Sequence, residues 1–257
     1  MKAILELAAS IARQVGGLQR ERFAAPRVIE TKSSTIDLVT DVDRASDQLV
    51  LECISSQRPD DAVLVEETGE HEGGSGLRWI VDPLDGTTNY AHGFPHYAVS
   101  IGVERDGVLE IGVIYDPMKD ELFSARRGAG AFLNGKPIAV SRVTELERAL
   151  LATGFAYDVH KAAIDNLEYF ARFIKRAQAV RRAGSAALDL AYVACGRFDG
   201  FWELQLHPWD VAAGLVLVEE AGGHTSDLAG GPVPPSGDRC VASNGHLHQH
   251  LLEVLKD

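Results

Sequence analysis

Basic residues are scarce in this chain. Its 257 residues carry 25 Lys and Arg against 37 Asp and Glu, a formal net charge of −12. A wide nucleic-acid footprint needs a basic face to neutralise phosphates, so no direct nucleic-acid binding is expected. Cysteine is scarcer still: Cys53, Cys195 and Cys240 are odd in number, widely spaced and without a Cys-x-x-Cys pair. That excludes a disulfide framework and points to buried free thiols in a reducing compartment. No apolar run approaches the roughly 20 residues that cross a bilayer, so no membrane partner is expected. The opening stretch has an amphipathic rhythm of Ile4, Leu7, Ala8, Ile11 and Val15, interrupted by Glu6 and Arg13. It lacks the uninterrupted apolar centre of a secretion signal, and a cytoplasmic location is expected. Gly128 and Gly130 lack the third glycine and the strand-to-helix setting of a dinucleotide fingerprint. His246, His248 and His250 have no further ligand at suitable spacing and are expected at the surface.

What is present centres on Trp79 to Pro95, WIVDPLDGTTNYAHGFP. Trp79 to Pro83 has the character of a short apolar strand, and Pro83 is expected to stop it by removing a backbone donor. The strand delivers Asp82 to its end, and Asp85 follows three residues later. Two like charges so close call for a cation between them, most simply magnesium. Gly86, Thr87 and Thr88 then open a helix whose first N–H groups can cradle an anion. Ala62 to Val65 is a second buried strand ending in acids, Glu66 and Glu67, so Glu66 and Asp82 can share one cavity as neighbours in a sheet.

The rest of the chain supplies a scaffold. Asp43 to Gln57 has helical spacing, with Thr40 or Asp41 as its cap. Short runs at 98–104, 108–115, 121–125 and 131–140, separated by Asp106-Gly107, Asp116-Pro117 and Asn134-Gly135, predict an antiparallel meander. In the second half, strands at 149–155, 179–182 and 200–204 alternate with helices at 162–177, 186–195 and 208–220, which predicts layered α/β packing. A strand near Cys240 to Ser243 and a helix after Asn244 close the chain. Asp210 falls in the first turn of its helix, where an acid also complements the dipole.

Four ordered segments, Glu66-Glu67-Thr68, Asp82 to Asn89, Ala183-Gly184-Ser185-Ala186 and Glu203 through His207-Pro208-Trp209-Asp210, closely resemble the signature of the inositol monophosphatase family of magnesium-dependent, lithium-sensitive sugar phosphatases. The resemblance implies an α/β (α+β) fold, a layered αβαβα sandwich, usually dimeric. It implies one domain with a metal- and phosphate-binding half, 1–145, and a substrate-binding half, 146–257. Glu66, Asp82, the carbonyl of Leu84, Asp85 and Asp210 are the implied ligands of two or three Mg2+ ions, with Asp82 bridging two. Gly86 and Thr87 are implied phosphate contacts, Thr87 and Glu66 the pair that positions and activates water, and Asp43 the acid supporting Thr87. Asp85, Gly184, Ser185, Ala186, Glu203 and Asp210 are implied contacts to a sugar alcohol. Lys32 matches a lysine near the site.

The reaction implied is magnesium-dependent hydrolysis of a phosphate monoester, with myo-inositol 1-phosphate first. The same metal core serves fructose 1,6-bisphosphate, nucleotide 3',5'-bisphosphates and histidinol phosphate. Thr87-Thr88-Asn89-Tyr90 and Gly93-Phe94-Pro95 are more similar to the inositol branch. A regulatory partnership with the transcription machinery is the alternative from another class. Thr68 and Tyr90 stand where many members have serine and phenylalanine.

Overall fold

A computed structural model describes residues 1–24, 29–31, 38–156, 159 and 165–256. The amphipathic opening forms α1 (Lys2–Arg22), which buries Ile4, Ala8, Ile11, Ala12 and Val15 on one face. Strands β1 (Ile29–Thr31) and β2 (Leu38–Thr40) pair antiparallel and lead into α2 (Asp41–Gln57). Thr40 caps α2 by accepting from the Val42 and Asp43 amides, and Asp43 accepts from the Thr40 amide in return, a reciprocal capping box.

There follow β3 (Ala62–Val65), β4 (Gly69–His71), β5 (Leu77–Asp85), the short α3 (Thr87–Ala91), β6 (Ala98–Arg105), β7 (Val108–Asp116), β8 (Glu121–Arg126), β9 (Ala131–Leu133) and β10 (Lys136–Pro137). They make an eight-stranded sheet in the order β10-β9-β8-β7-β6-β5-β3-β4. Among the described residues of this sheet only β3 and β5 pair in parallel; β6 to β10 form the predicted meander, and β5 pairs antiparallel with its first strand. Its hairpins turn where expected, with Asp106, Gly107, Asn134 and Gly135 all at positive φ.

The second half contributes β11 (Leu150–Thr153), α4 (Leu167–Phe173), β12 (Ala179–Arg181), α5 (Ala186–Ala194), β13 (Gly200–Leu204), α6 (Pro208–Glu220), β14 (His224–Ser226), β15 (Arg239–Ser243) and α7 (His248–Lys256). The five-stranded sheet runs β12-β11-β13-β15-β14, parallel on the first side of β13 and antiparallel beyond it. Helices α1 and α2 cover the outer face of the large sheet, α5 and α6 fill the space between the sheets, and α4 and α7 close the far face of the small one. The result is the layered αβαβα order.

Several expectations need correction. Pro83 does not end its strand: β5 continues to Asp85, with Asp82 opposite Ser100 and Asp85 opposite Ala98, so a bulge of one extra residue absorbs the missing donor. Cys240 is buried, but Cys53 and Cys195 are only half-buried. His248 is buried, with Nε2 against the Ser226 hydroxyl at 2.8 Å and Nδ1 against Ser243 at 3.0 Å, while His246 and His250 are exposed. Burial lowers the His248 pKa to about 4. The helix expected over 162–177 is shorter among the described residues: Asn166, at φ 65 and anchored to Thr153, Gly154 and Trp202, starts α4 only at Leu167, and 174–177 form turns before β12 rather than helix, while 162–164 lie outside the described residues. Lys32 lies outside them as well.

Candidate active site

The parallel pairing of β3 and β5 sets the site. Val65 stands opposite Val81, so Glu66, the first residue past the end of β3, comes beside Asp82, which stays in β5 opposite Ser100. Both border a cavity of about 630 Å3, together with Leu84, Asp85, Gly86 and Thr87 from the bulge and the turn after it. The bulge is held from within: Asp82 Oδ1 accepts from the Leu84 amide at 2.9 Å, and the Thr87 hydroxyl lies 3.1 Å from the Leu84 carbonyl. Gly86, at φ 101, takes the left-handed conformation that starts α3.

Asp43 stands behind this turn rather than in the cavity. Its Oδ1 accepts from the Thr87 hydroxyl at 2.7 Å, and its Oδ2 from the Thr40 amide and hydroxyl. Burial raises its pKa, and the bonds to Thr40 and Thr87 oppose that rise. Thr88, whose hydroxyl has no partner, also borders the cavity.

The second half closes the site from the opposite side. Asp85 accepts from the Ser185 hydroxyl at 2.6 Å and the Ala187 amide at 2.7 Å, which docks it on the start of α5. Gly184, Ser185 and Ala186 thereby join the cavity wall. Asn89 ties the two halves, donating to the carbonyls of His96 at 2.8 Å and Ala183 at 2.9 Å. Asp210 arrives on the first turn of α6 and borders the cavity, while its Oδ2 accepts from the His207 amide at 2.7 Å. It is therefore both a cap and a cavity acid. Helix α6 lies flush on the large sheet because Gly102 and Gly112, paired across β6 and β7, leave no Cβ: at Gly112 one would come 2.2 Å from the Ala213 carbonyl oxygen. Glu203 enters from β13 against Gly154, where a Cβ would lie 2.1 Å from Glu203 Oε1.

The electrostatics are those of crowded acids. Burial first, then repulsion from Glu66, Asp85 and Asp210, pushes the Asp82 pKa well above the ordinary carboxylate value. Asp210 is raised by burial and by Asp85, and Asp85 itself reaches about 6 through burial, with Ser185 and Ala187 opposing. Glu203 is pushed to about 8 by burial and by Asp85. Among the described residues, no Lys or Arg forms an ion pair with Asp82, Asp85 or Asp210. An all-oxygen set with uncompensated charge suits a hard divalent cation. Among the described residues, no three acidic, imidazole or thiol groups enclose an ion by themselves.

Three supporting residues were not anticipated. Gln19 of α1, wholly buried, donates its side-chain amide to the Pro83 carbonyl at 2.6 Å, and its main-chain carbonyl accepts from the Tyr90 hydroxyl at 2.8 Å. It pins the bulge from beneath. Asp47 accepts from the Thr68 hydroxyl at 2.9 Å and steadies the loop that follows Glu66. Asp189, on α5, borders the cavity. A single Gln or Asp on a helix carries no sequence signal that separates these roles from solvation or dipole pairing.

Two layered sheets with an acid-lined cavity at the ends of their one parallel pair in the larger sheet define a phosphatase-type α/β architecture. The chain belongs to the inositol monophosphatase family, whose model matches residues 1–257. It is 43% identical over 252 residues to an inositol-1-monophosphatase of Synechocystis, covering 98% of this chain and 88% of the relative. It is 41% identical over 259 residues to the Nus factor SuhB of Escherichia coli K12, covering 100% and 97%. The solved inositol monophosphatase of Anabaena superposes with a TM-score of 0.90 at 42% identity, covering 99% of this chain and 96% of that one.

Proposed function

We propose that this protein hydrolyses the phosphate monoester of a polyol, with myo-inositol 1-phosphate first, through water activated by two or three Mg2+ ions. The observation that carries this reading is the convergence of Glu66, Asp82, Asp85 and Asp210 on one cavity beside a hydroxyl, Thr87, held by a buried acid. Magnesium bound by these carboxylates and the Leu84 carbonyl would lower the pKa of a water and stabilise charge on the phosphoryl and leaving oxygens. Thr87 commits its proton to Asp43 or Leu84, so its lone pairs are left to accept from the attacking water and aim it. Glu66 is placed to take that water's second contact, and Gly86 and Thr87 offer main-chain donors to the phosphate. Glu203, Gly184, Ser185 and Ala186 border the space left for the alcohol.

Phosphate release with magnesium from inositol 1-phosphate, fructose 1,6-bisphosphate and adenosine 3',5'-bisphosphate tests it. Preference for the inositol ester supports both reaction and substrate, preference for another moves the substrate, and silence on all three ends the reading. Lithium is expected to inhibit. Gly154→Ala would drive Glu203 from its seat and is expected to raise KM for the inositol ester about tenfold, roughly 1.4 kcal/mol, with little change in kcat. An unchanged KM would remove Glu203 from the alcohol contacts.

A second reading rests on the relatives named Nus factor SuhB. A homodimer that also joins the transcription machinery is compatible with an intact cavity, and co-purification of polymerase subunits with the tagged protein tests it.

A further inference from the structure

Asp189 is the sole polar side chain but one, Tyr192, on α5, a helix of Ala, Leu and Val buried along its whole length. An acid that merely complements a helix dipole does so from an exposed first turn, where water pays its solvation. Asp189 is instead 1% exposed, borders the cavity, and has an Oδ1 with no hydrogen-bond partner. An enclosed carboxyl oxygen left unmatched is costly, and the cost is recovered only when a donor arrives. The cavity is the route by which one can arrive. Glu203 borders the same space from a different element, β13, and Arg182, exposed at the cavity edge, attracts both carboxyl groups.

We propose that Asp189 is a specificity-determining residue that, together with Glu203, accepts hydrogen bonds from hydroxyl groups of the leaving alcohol, so that the site selects esters of polyols over esters of alcohols with no free hydroxyl. This rests on the phosphatase reading above. A site with buried acceptors discriminates strongly, because an alcohol lacking hydroxyls leaves those acceptors unpaired. Nothing in the bond-making step passes through Asp189.

The test compares myo-inositol 1-phosphate with p-nitrophenyl phosphate, whose leaving group has no hydroxyl beyond the ester oxygen. Phosphate release is measured with magnesium for the wild type, Asp189→Asn and Asp189→Leu. Leucine suits the apolar surroundings, and asparagine keeps one acceptor in nearly the same shape. The ratio of kcat/KM for the inositol ester over the aryl ester is expected to fall about tenfold or more in Asp189→Leu, through KM, and by less in Asp189→Asn. A ratio unchanged in both variants, or a fall shared equally by both esters, overturns the inference. So does a wild type that cleaves the aryl ester without preferring the inositol ester, although the phosphatase reading then stands. A wild type silent on both esters overturns the inference, and the phosphatase reading then rests on fructose 1,6-bisphosphate and adenosine 3',5'-bisphosphate.

Discussion

Asp85→Asn is expected to lower kcat on the inositol ester by about a thousandfold while leaving the fold intact. The substitution keeps shape and removes charge. Asp85 joins the halves of the site, accepting from Ser185 and Ala187 on one side while sharing the cavity with Asp82 and Asp210 on the other. Both bonds go to one oxygen, Oδ2, which the Asn carbonyl oxygen can replace, so α5 stays docked, but the neutral side chain no longer helps to hold a divalent cation. Stability without metal should move the other way. Burial raises the folded Asp85 pKa from 3.8 to about 6, so the folded state holds its proton more tightly than the unfolded chain. Such a group withdraws stability as pH rises from 3.8 to about 6, and the deficit is complete above that window. In chelator at neutral pH, Asp85→Asn should therefore melt at or above the wild-type temperature. Near-normal turnover in the variant would remove Asp85 from the chemistry. Lost turnover with a collapsed melting temperature would mark it as a structural brace instead.

How much was legible in advance follows from which features are local. Two apolar strands each ending in acids announced that Glu66 and Asp82 meet, because strand ends and charges are written in consecutive residues. The helices at 41–57 and 208–220 carried their start signals with them, Thr40 as the cap of one and Pro208 as the first helical residue of the other. The bulge at Pro83 was not legible, since it exists only through pairing with β6 and support from Gln19, 64 residues away. His248 was misplaced for a similar reason: its burial depends on β14, three residues too short to show a period. Asp189 looks on paper like any acid in a first turn, and only enclosure distinguishes it.

Removing divalent metal is expected to abolish turnover, and magnesium should restore it together with thermal stability in a pH-dependent way. In the metal-free fold Asp82, Asp85 and Asp210 all hold protons above the ordinary carboxylate range, burial being the leading cause in each. Metal binds the deprotonated groups, so binding releases protons and affinity rises with pH. At about pH 8 and ten times its dissociation constant, magnesium contributes roughly 1.4 kcal/mol. For a domain of this size that is a rise of about 3–6 °C in melting temperature. Near pH 5 protons compete for the same oxygens, and the rise should shrink to about 1 °C or less. Differential scanning calorimetry with and without magnesium at the two pH values reads the effect directly, and the triple contrast with Asp85→Asn, whose magnesium-induced rise should be smaller at about pH 8, locates it in the cavity. An equal rise at both pH values would place the bound ion on exposed carboxylates elsewhere on this acidic surface, and full turnover in chelator would end the metal assignment outright.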